Sequence, residues 1–230
     1  MFGKPKHPAP ATSNNSLKVN EIFYSIQGES RYAGLPCIFI RLAGCNLRCA
    51  YCDTQYAYEE GNELSVQRIV QSVACFPTRL VEITGGEPLL QAHTPQLLSR
   101  FADAGFTVLL ETNGTLSLEP VDERVIRIMD IKCPDSGMSE HMLWDNIERL
   151  RSADEVKLVI SSRGDYDWAL GVVEKYELDQ RCSISLSPAQ NVLEARKLAE
   201  WMLEDAPATG KARLQLQIHK YIWPERERGV

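Results

Sequence analysis

No stretch of the chain approaches the roughly 20 apolar residues that a membrane-spanning helix needs, so the sequence offers no helical anchor. Residues 1–16 lack the apolar core of a secretion signal. They hold three prolines, two lysines and small polar residues, a composition that predicts a disordered tail. Cytoplasmic localisation is therefore expected. A basic excess is missing too: 25 Lys and Arg face 31 Asp and Glu, a formal net charge of −6. That balance argues against a general nucleic-acid binder. Repeats, low-complexity blocks and internal linkers are absent. So is a disulfide framework, because seven unevenly spaced cysteines follow no secretion signal.

What is present suits one globular domain over residues 17–230. Apolar residues make up 44% of the 230 and charged residues 24%. β-rich runs at 19–26 and 37–42 open the domain. From about residue 64, strands and helices alternate. Strands are expected at 80–84, 106–110, 125–131, 155–160, 183–186 and 213–218. Helices are expected at 66–76, from Thr94-Pro95 to Gly105, 139–151, 165–176 and 192–203. Ser65 and Thr94 are read as caps. Such alternation predicts an α/β fold with a parallel sheet and right-handed crossovers. The chain is short for a full eight-fold barrel of about 250 residues, so a partial, open β/α barrel fits better.

Polar residues recur just after the strands, where barrel-type α/β folds keep their active face. The densest group is Gly44-Cys45-Asn46-Leu47-Arg48-Cys49-Ala50-Tyr51-Cys52-Asp53-Thr54, with three cysteines at C-x-x-x-C-x-x-C spacing. Core packing gives no reason to crowd three thiols onto such a loop, whereas Cys37, Cys75 and Cys182 read as small buried hydrophobes. A four-iron cluster normally takes four thiolates, so a trio leaves one iron open to a small molecule. The other reading is a structural zinc site with a fourth ligand from Cys133 or a histidine.

The remaining motifs also admit two readings each. Gly85-Gly86-Glu87-Pro88 is a turn whose missing Cβ atoms let a ligand come close, or only a turn. Glu111-Thr112-Asn113-Gly114 offers a hydroxyl and an amide, or a plain Asn-Gly turn. Lys132 is a cation for a carboxylate or phosphate, or a solvated lysine. Ser187-Pro188-Ala189-Gln190 lines a pocket or starts a helix. Arg41 shares a strand face with Phe39 and needs a partner, either an internal acid or a substrate carboxylate. Thr54 is a loop hydroxyl or a contributor to a Mg²⁺ site. His219, read as ending the last strand, is a pocket wall, a base or a core histidine.

The cysteine trio followed by Gly85-Gly86-Glu87-Pro88 after a strand resembles the radical S-adenosylmethionine superfamily. Longer stretches resemble its 7-carboxy-7-deazaguanine synthase family. These are Phe23-Tyr24-Ser25-Ile26-Gln27-Gly28-Glu29, Phe39-Ile40-Arg41-Leu42-Ala43-Gly44-Cys45, Asp130-Ile131-Lys132-Cys133-Pro134 and Gln217-Ile218-His219-Lys220-Tyr221. The resemblance implies a 4Fe-4S cluster on Cys45, Cys49 and Cys52 with S-adenosylmethionine on its open iron. It further implies radical hydrogen abstraction from C6 of 6-carboxy-5,6,7,8-tetrahydropterin. Ring contraction and loss of ammonia then give 7-carboxy-7-deazaguanine, in the 7-deazapurine pathway that includes queuosine.

Matched position by position, the resemblance places Ile26, Gln27, Gly28, Arg41, Thr84 and Pro224 on the substrate and Thr54 on Mg²⁺. Tyr51, Cys52, Asp53, Gly86, Lys132, Ser187, Pro188, Ala189 and Gln190 would contact S-adenosylmethionine. A homodimer and a flavodoxin-like electron donor are implied as well. Ser30 stands where many relatives carry glycine, and residues 225–230 run past the point where some relatives end. Two other readings remain at this stage: a glycyl-radical enzyme activase, and a non-catalytic zinc-binding protein.

Overall fold

Strand alternation sorts this chain into two faces. Over residues 37–42, 80–84, 108–112 and 126–131 one set of side chains is mostly aliphatic, and the other begins apolar and turns polar toward the strand's C-terminal end. A computed structural model describes residues 15–206 and 210–230 and shows the sheet that results. Its nine strands run in the order β3-β1-β2-β4-β5-β6-β7-β8-β9. They are β1 (Ser16–Ile26), β2 (Pro36–Leu42), β3 (Asn62–Ser65), β4 (Leu80–Gly85), β5 (Thr107–Thr112), β6 (Ile126–Ile131), β7 (Glu155–Ile160), β8 (Ser183–Pro188) and β9 (Arg213–Leu214). From β2 to β9 every neighbouring pair is parallel, while β1 runs antiparallel to both β2 and β3. The sheet does not close, so the architecture is the partial parallel barrel expected.

The helices are α1 (Val66–Ser72), α2 (Thr94–Asp103), α3 (Arg163–Lys175), α4 (Leu178–Arg181), α5 (Ala195–Glu204) and α6 (Ile218–Ile222). The main core lies between them and the outer sheet face. It includes Ile38, Ile40, Leu42, Val81, Ile83, Leu110, Ile131, Leu158 and Leu186, with Leu98 and Phe101 from α2. A smaller cluster of Cys37, Phe39, Leu80, Leu109 and Ile128 fills the floor of the concave face. Above that floor come Arg41, Glu82, Thr84, Glu111 and Asp130 on the same strands, and Lys157 on β7, all lining a cavity. No helix among the described residues is long and apolar enough to cross a membrane.

Several expectations need correction. The expected tail lies almost entirely outside the described residues, except that Ser16 is the first residue of β1, paired with Ser65. β3 carries no apolar run and gave no sequence signal; it exists because β1 extends far enough to pair with it. Helix 66–76 stops at Ser72. Ser65 does cap it, its side chain accepting from Arg68 N at 3.2 Å. Thr94 is no cap: it is buried in the first turn of α2 and donates to Pro88 O at 2.6 Å. Residues 139–151 form two short 3₁₀ segments rather than one helix. Their backbone is captured from outside, with Leu143 N donating to Gly114 O at 3.1 Å. The last strand stops at Leu214, and Ile218–Ile222 is helical, so His219 sits on α6. Cys37 is buried as expected, but Cys75 is exposed on the turns after α1.

Ile40 is fully buried between β1 and β4, opposite Ile22 and Ile83. Ile40→Ala should lower unfolding stability by about 2–5 kcal/mol, read as a lower denaturant midpoint at unchanged slope.

Candidate active site

The C-terminal ends of the parallel strands open onto one cavity of about 720 Å³. The cysteine loop leaves β2 there and is stitched to the next strand's end. Gly86 N donates to Leu42 O at 3.2 Å and Glu87 N to Gly44 O at 2.8 Å. This approach excludes side chains. A Cβ on Gly86 would lie 2.1 Å from Gly44 O, and one on Gly85, which holds φ +147°, would lie 2.1 Å from Leu42 O. The loop's far side rests on the segment after β6, where Ala50 N donates to Ser136 O at 3.1 Å.

Glu87 secures the seam. It is fully buried and accepts from Asn113 N at 2.7 Å, Leu89 N at 2.9 Å and Thr112 Oγ1 at 2.9 Å. Burial pushes its carboxyl above the ordinary range, and the two backbone N–H groups pull against that. Asn113 reaches the loop directly, its Nδ2 donating to Asn46 Oδ1 at 3.0 Å.

Cys45, Cys49 and Cys52 are half-buried and all face the cavity. Burial raises the Cys45 and Cys49 thiols. Cys133 is turned away into the outer core and is fully buried, which removes it as a fourth ligand. Among the described residues no three Cys, His, Asp or Glu side chains converge as a single metal ion requires. Three thiols spread on one loop suit a cluster, whose thiolates bind separate irons. The donor set therefore fits a three-thiolate cluster and does not fit a four-ligand zinc site.

Every residue singled out for substrate, cofactor or metal lines this cavity: Ile26, Gln27, Gly28, Arg41, Tyr51, Asp53, Thr54, Thr84, Gly86, Lys132, Pro224 and the 187–190 run, beside the three cysteines. Ser187 and Pro188 are the last residues of β8 rather than a turn after it. Lys132 donates to Asp130 Oδ2 at 2.7 Å. Burial works against its charge, but Asp130 and the Cys49 sulfur more than compensate and hold it above the usual lysine range. The other oxygen of Asp130, Oδ1, is buried with no partner among the described residues, on a side chain that lines the cavity. Thr54 Oγ1 lies 3.3 Å from Asp53 Oδ1. Asp53 is tied to Lys220 of α6, and that ammonium overrides burial to hold its carboxyl well below the usual range.

The turn after β1 docks on α6. Ile218 N donates to Gly28 O at 3.0 Å, and a Cβ on Gly28 would lie 1.9 Å from His219 Nδ1, so the imidazole occupies the space a side chain would need. Burial pushes the His219 imidazole below its ordinary range. Ser30 adopts φ 60°, in the left-handed region that favours glycine. Its Oγ accepts from Tyr32 N at 3.2 Å, which a glycine could not do.

Sequence reasoning missed the charged layer beneath the site. Lys157 is ion-paired with Glu29 and, at 3.0 Å, with Glu111. Glu111 in turn accepts from Thr84 Oγ1 at 2.9 Å. Glu82 is buried beside them and accepts from Gln27 Nε2. Burial, then the neighbouring Glu111 and Glu29, raise Glu82 well above the carboxylate range. Burial also opposes charge on Glu111, but Lys157 and Thr84 bring it below its ordinary value. The available signal was a charged residue inside an apolar strand, as in Leu80-Val81-Glu82-Ile83 and Val156-Lys157-Leu158.

The lowered Glu111 contributes stability that is present above its unfolded value near 4.5 and lost as pH falls below it. Lys157→Met leaves carboxylates buried without their cation. The variant should lose about 3–5 kcal/mol near pH 8. The loss should shrink near pH 5, where the stranded acids take up protons. Denaturant unfolding of both proteins at the two pH values checks this.

Residues 39–175 match the Radical SAM superfamily. A 7-carboxy-7-deazaguanine synthase of Chlorobaculum tepidum is 48% identical over 217 residues, covering 93% of this chain and 97% of that relative. One of Koribacter versatilis is 40% identical, covering 93% of this chain and all of the relative, 100%. Among solved structures, QueE from Escherichia coli superposes with a TM-score of 0.74 at 23% identity, covering 87% of this chain and 93% of that one. That last likeness is one of fold. Near full-length identity of this order, on a scaffold that gathers three thiols and the Gly-Gly-Glu turn at one mouth, places the chain in the 7-carboxy-7-deazaguanine synthase family of the radical S-adenosylmethionine superfamily.

Proposed function

We propose that the chain is a carbon–nitrogen lyase that converts 6-carboxy-5,6,7,8-tetrahydropterin to 7-carboxy-7-deazaguanine with loss of ammonia, a step of queuosine biosynthesis. The observation that carries this is the 48% identity to a synthase of that name over nearly the whole of both chains. Family membership favours neither the activase nor the zinc-protein reading. Residues 17–230, joined by Ser16 at the start of β1, are read as one catalytic domain.

A 4Fe-4S cluster and S-adenosylmethionine belong to the superfamily and, when bound, supply the one-electron chemistry that starts the reaction. The residues that would hold them are Cys45, Cys49 and Cys52 for the cluster, and Tyr51, Asp53, Gly86, Lys132 and the 187–190 run for the cofactor. Gly86 suits a ligand that must approach the backbone closely. Lys132 brings a positive charge for the cofactor's carboxylate.

On the substrate side, Ile26, Gln27, Gly28, Arg41, Thr84 and Pro224 are read as the pterin's contacts. Arg41 is the cation for its carboxylate. Thr54 is read as the Mg²⁺ ligand, the metal linking that carboxylate to the protein. Above the apolar floor, Gln27 is bonded to Glu82 and Lys157 is paired with Glu111, which fixes the charged layer under the pocket. The direct substrate is thus a small molecule, with no nucleic acid or membrane in the reaction. A homodimer, a flavodoxin-like reductant and a cytoplasmic setting complete the reading.

Turnover of the pterin under anaerobic, reducing conditions tests it. Cys49→Ala should abolish product and iron binding together, and product formed by that variant would overturn the cluster assignment. Metal analysis should give about four irons per chain with acid-labile sulfide, against one zinc for a structural site. Thr54→Val should weaken the response to added Mg²⁺ while leaving iron content unchanged.

A further inference from the structure

Arg41 needed a partner, and residues 225–230 had no role. The structure connects the two. Arg41 Nε donates to Glu21 Oε1 at 2.8 Å, and both side chains are more than four-fifths buried. Neither terminal nitrogen of the guanidinium has a hydrogen-bond partner among the described residues. Phe23 and Tyr56 flank it, with ring centroids 5.8 and 5.9 Å from Cζ. One edge of the fork is therefore occupied by the protein, while the end that grips a carboxylate with two parallel bonds is left unfilled in a cavity wall.

Glu21 owes its position to strand register. It pairs directly with Arg41, continuing the regular β1–β2 register of Phe23 with Phe39, and the ladder shifts only beyond it, between Val19 and Glu21. Phe23 follows on the same face and stacks on Phe39 with centroids 4.9 Å apart. The Glu21 carboxylate is then held from two further directions. Tyr56 Oη donates to Oε1 at 3.0 Å, and Gly229 N donates to Oε2 at 3.2 Å. Gly229 belongs to the last six residues, which cross the cavity mouth, so that Arg226, Glu227 and Val230 line it. Arg228 pins that segment, with Nη1 2.9 Å from Glu60 Oε2 and Cζ 4.2 Å from the Tyr56 ring centroid.

We propose that Glu21 is a positioning residue that aims the open end of Arg41 at the substrate carboxylate, and that residues 225–230 are a strap that fixes Glu21 in turn. The inference rests on the reading of Arg41 as the carboxylate's contact. Its physical basis is charge distribution. A Glu21 already sharing its lone pairs with Tyr56 and Gly229 balances Arg41 without drawing its terminal nitrogens away. A long, flexible arginine is thereby held in one orientation before substrate arrives, which lowers the ordering cost of binding.

The test is equilibrium binding to the cluster-loaded, unreduced enzyme with S-adenosylmethionine present, where no turnover occurs. The probes are 6-carboxy-5,6,7,8-tetrahydropterin and the tetrahydropterin lacking the carboxylate. Glu21→Ala should weaken the first by about tenfold or more and leave the second unchanged. Glu21→Gln, which keeps an acceptor for Nε, should restore most of the loss. Arg228→Ala and a chain ending at Pro224 should shift binding in the same direction by a smaller factor. In an Arg41→Met background Glu21→Ala should add nothing.

Equal weakening of both pterins by Glu21→Ala, no weakening of either, or a full loss persisting beside Arg41→Met would overturn the positioning role. Unchanged binding in both Arg228→Ala and the shortened chain would overturn the strap. If Arg41→Met fails to separate the two pterins, the reading of Arg41 itself falls. If it separates them and Glu21→Ala does not, only the positioning role falls. Where Glu21→Ala fails to fold, Glu21→Gln and Arg228→Ala carry the same comparison on an intact barrel.

Discussion

The site depends on a backbone seam with no room for a side chain. The cysteine loop begins where β2 ends, and the Gly-Gly turn begins where β4 ends. Parallel pairing brings these two ends side by side, with Leu42 opposite Gly85. The two hydrogen bonds between them hold the loop's first residues as firmly as a sheet ladder would. Buried Glu87 then ties the seam to the end of β5 through Thr112 and Asn113. Three strand ends thus meet at one residue, Glu87, through its backbone N–H to Gly44 and its carboxylate to Thr112 and Asn113, and the position of the thiols follows from the register of the sheet. A one-residue slip between β2 and β4 would turn their side chains to opposite faces.

The second organising feature is the layering of the concave face. Its floor is apolar, so the sheet curves around Phe39, Leu109 and Ile128 much as any barrel packs its interior. The next layer carries Glu82, Glu111 and Lys157 beside Arg41 and Thr84. Buried charges of this kind contribute little net stability. Their effect is geometric, because each holds the next at a fixed distance under the mouth. The outer face needs no such arrangement and is aliphatic almost throughout.

Much of this was legible in the sequence. Strand–helix alternation gave the parallel sheet, and polar residues at strand ends gave the mouth. The rest was hidden for identifiable reasons. A lone Glu82 or Lys157 shows that an inward charge exists but not its partner, which lies on another strand 46 residues away for Lys157 and Glu111. β3 is polar and gains its identity only from the neighbouring β1. The Arg213-to-Ile218 run alternates like a strand, yet the chain leaves the sheet after Leu214 because Ile218 is drawn to Gly28. Residues 139–151 have helical spacing, but Asn146 spends its side chain on Leu118 N, Gly114 O and Leu116 O, pinning the segment locally. Glu21 was overlooked because the antiparallel pairing that sets it opposite Arg41 leaves no trace in composition.

The pairing of Asp53 with Lys220 has a temporal side. The two residues are 167 positions apart, and the Gln217–Glu29 bond spans 188. During synthesis the three thiols leave the ribosome early, while the segment that covers their loop arrives last. At 5–20 residues per second, the interval is roughly ten to thirty seconds. For that interval the cysteine loop lacks the partners that Gln217 and Lys220 supply, so the site is complete only when both ends of the chain have met.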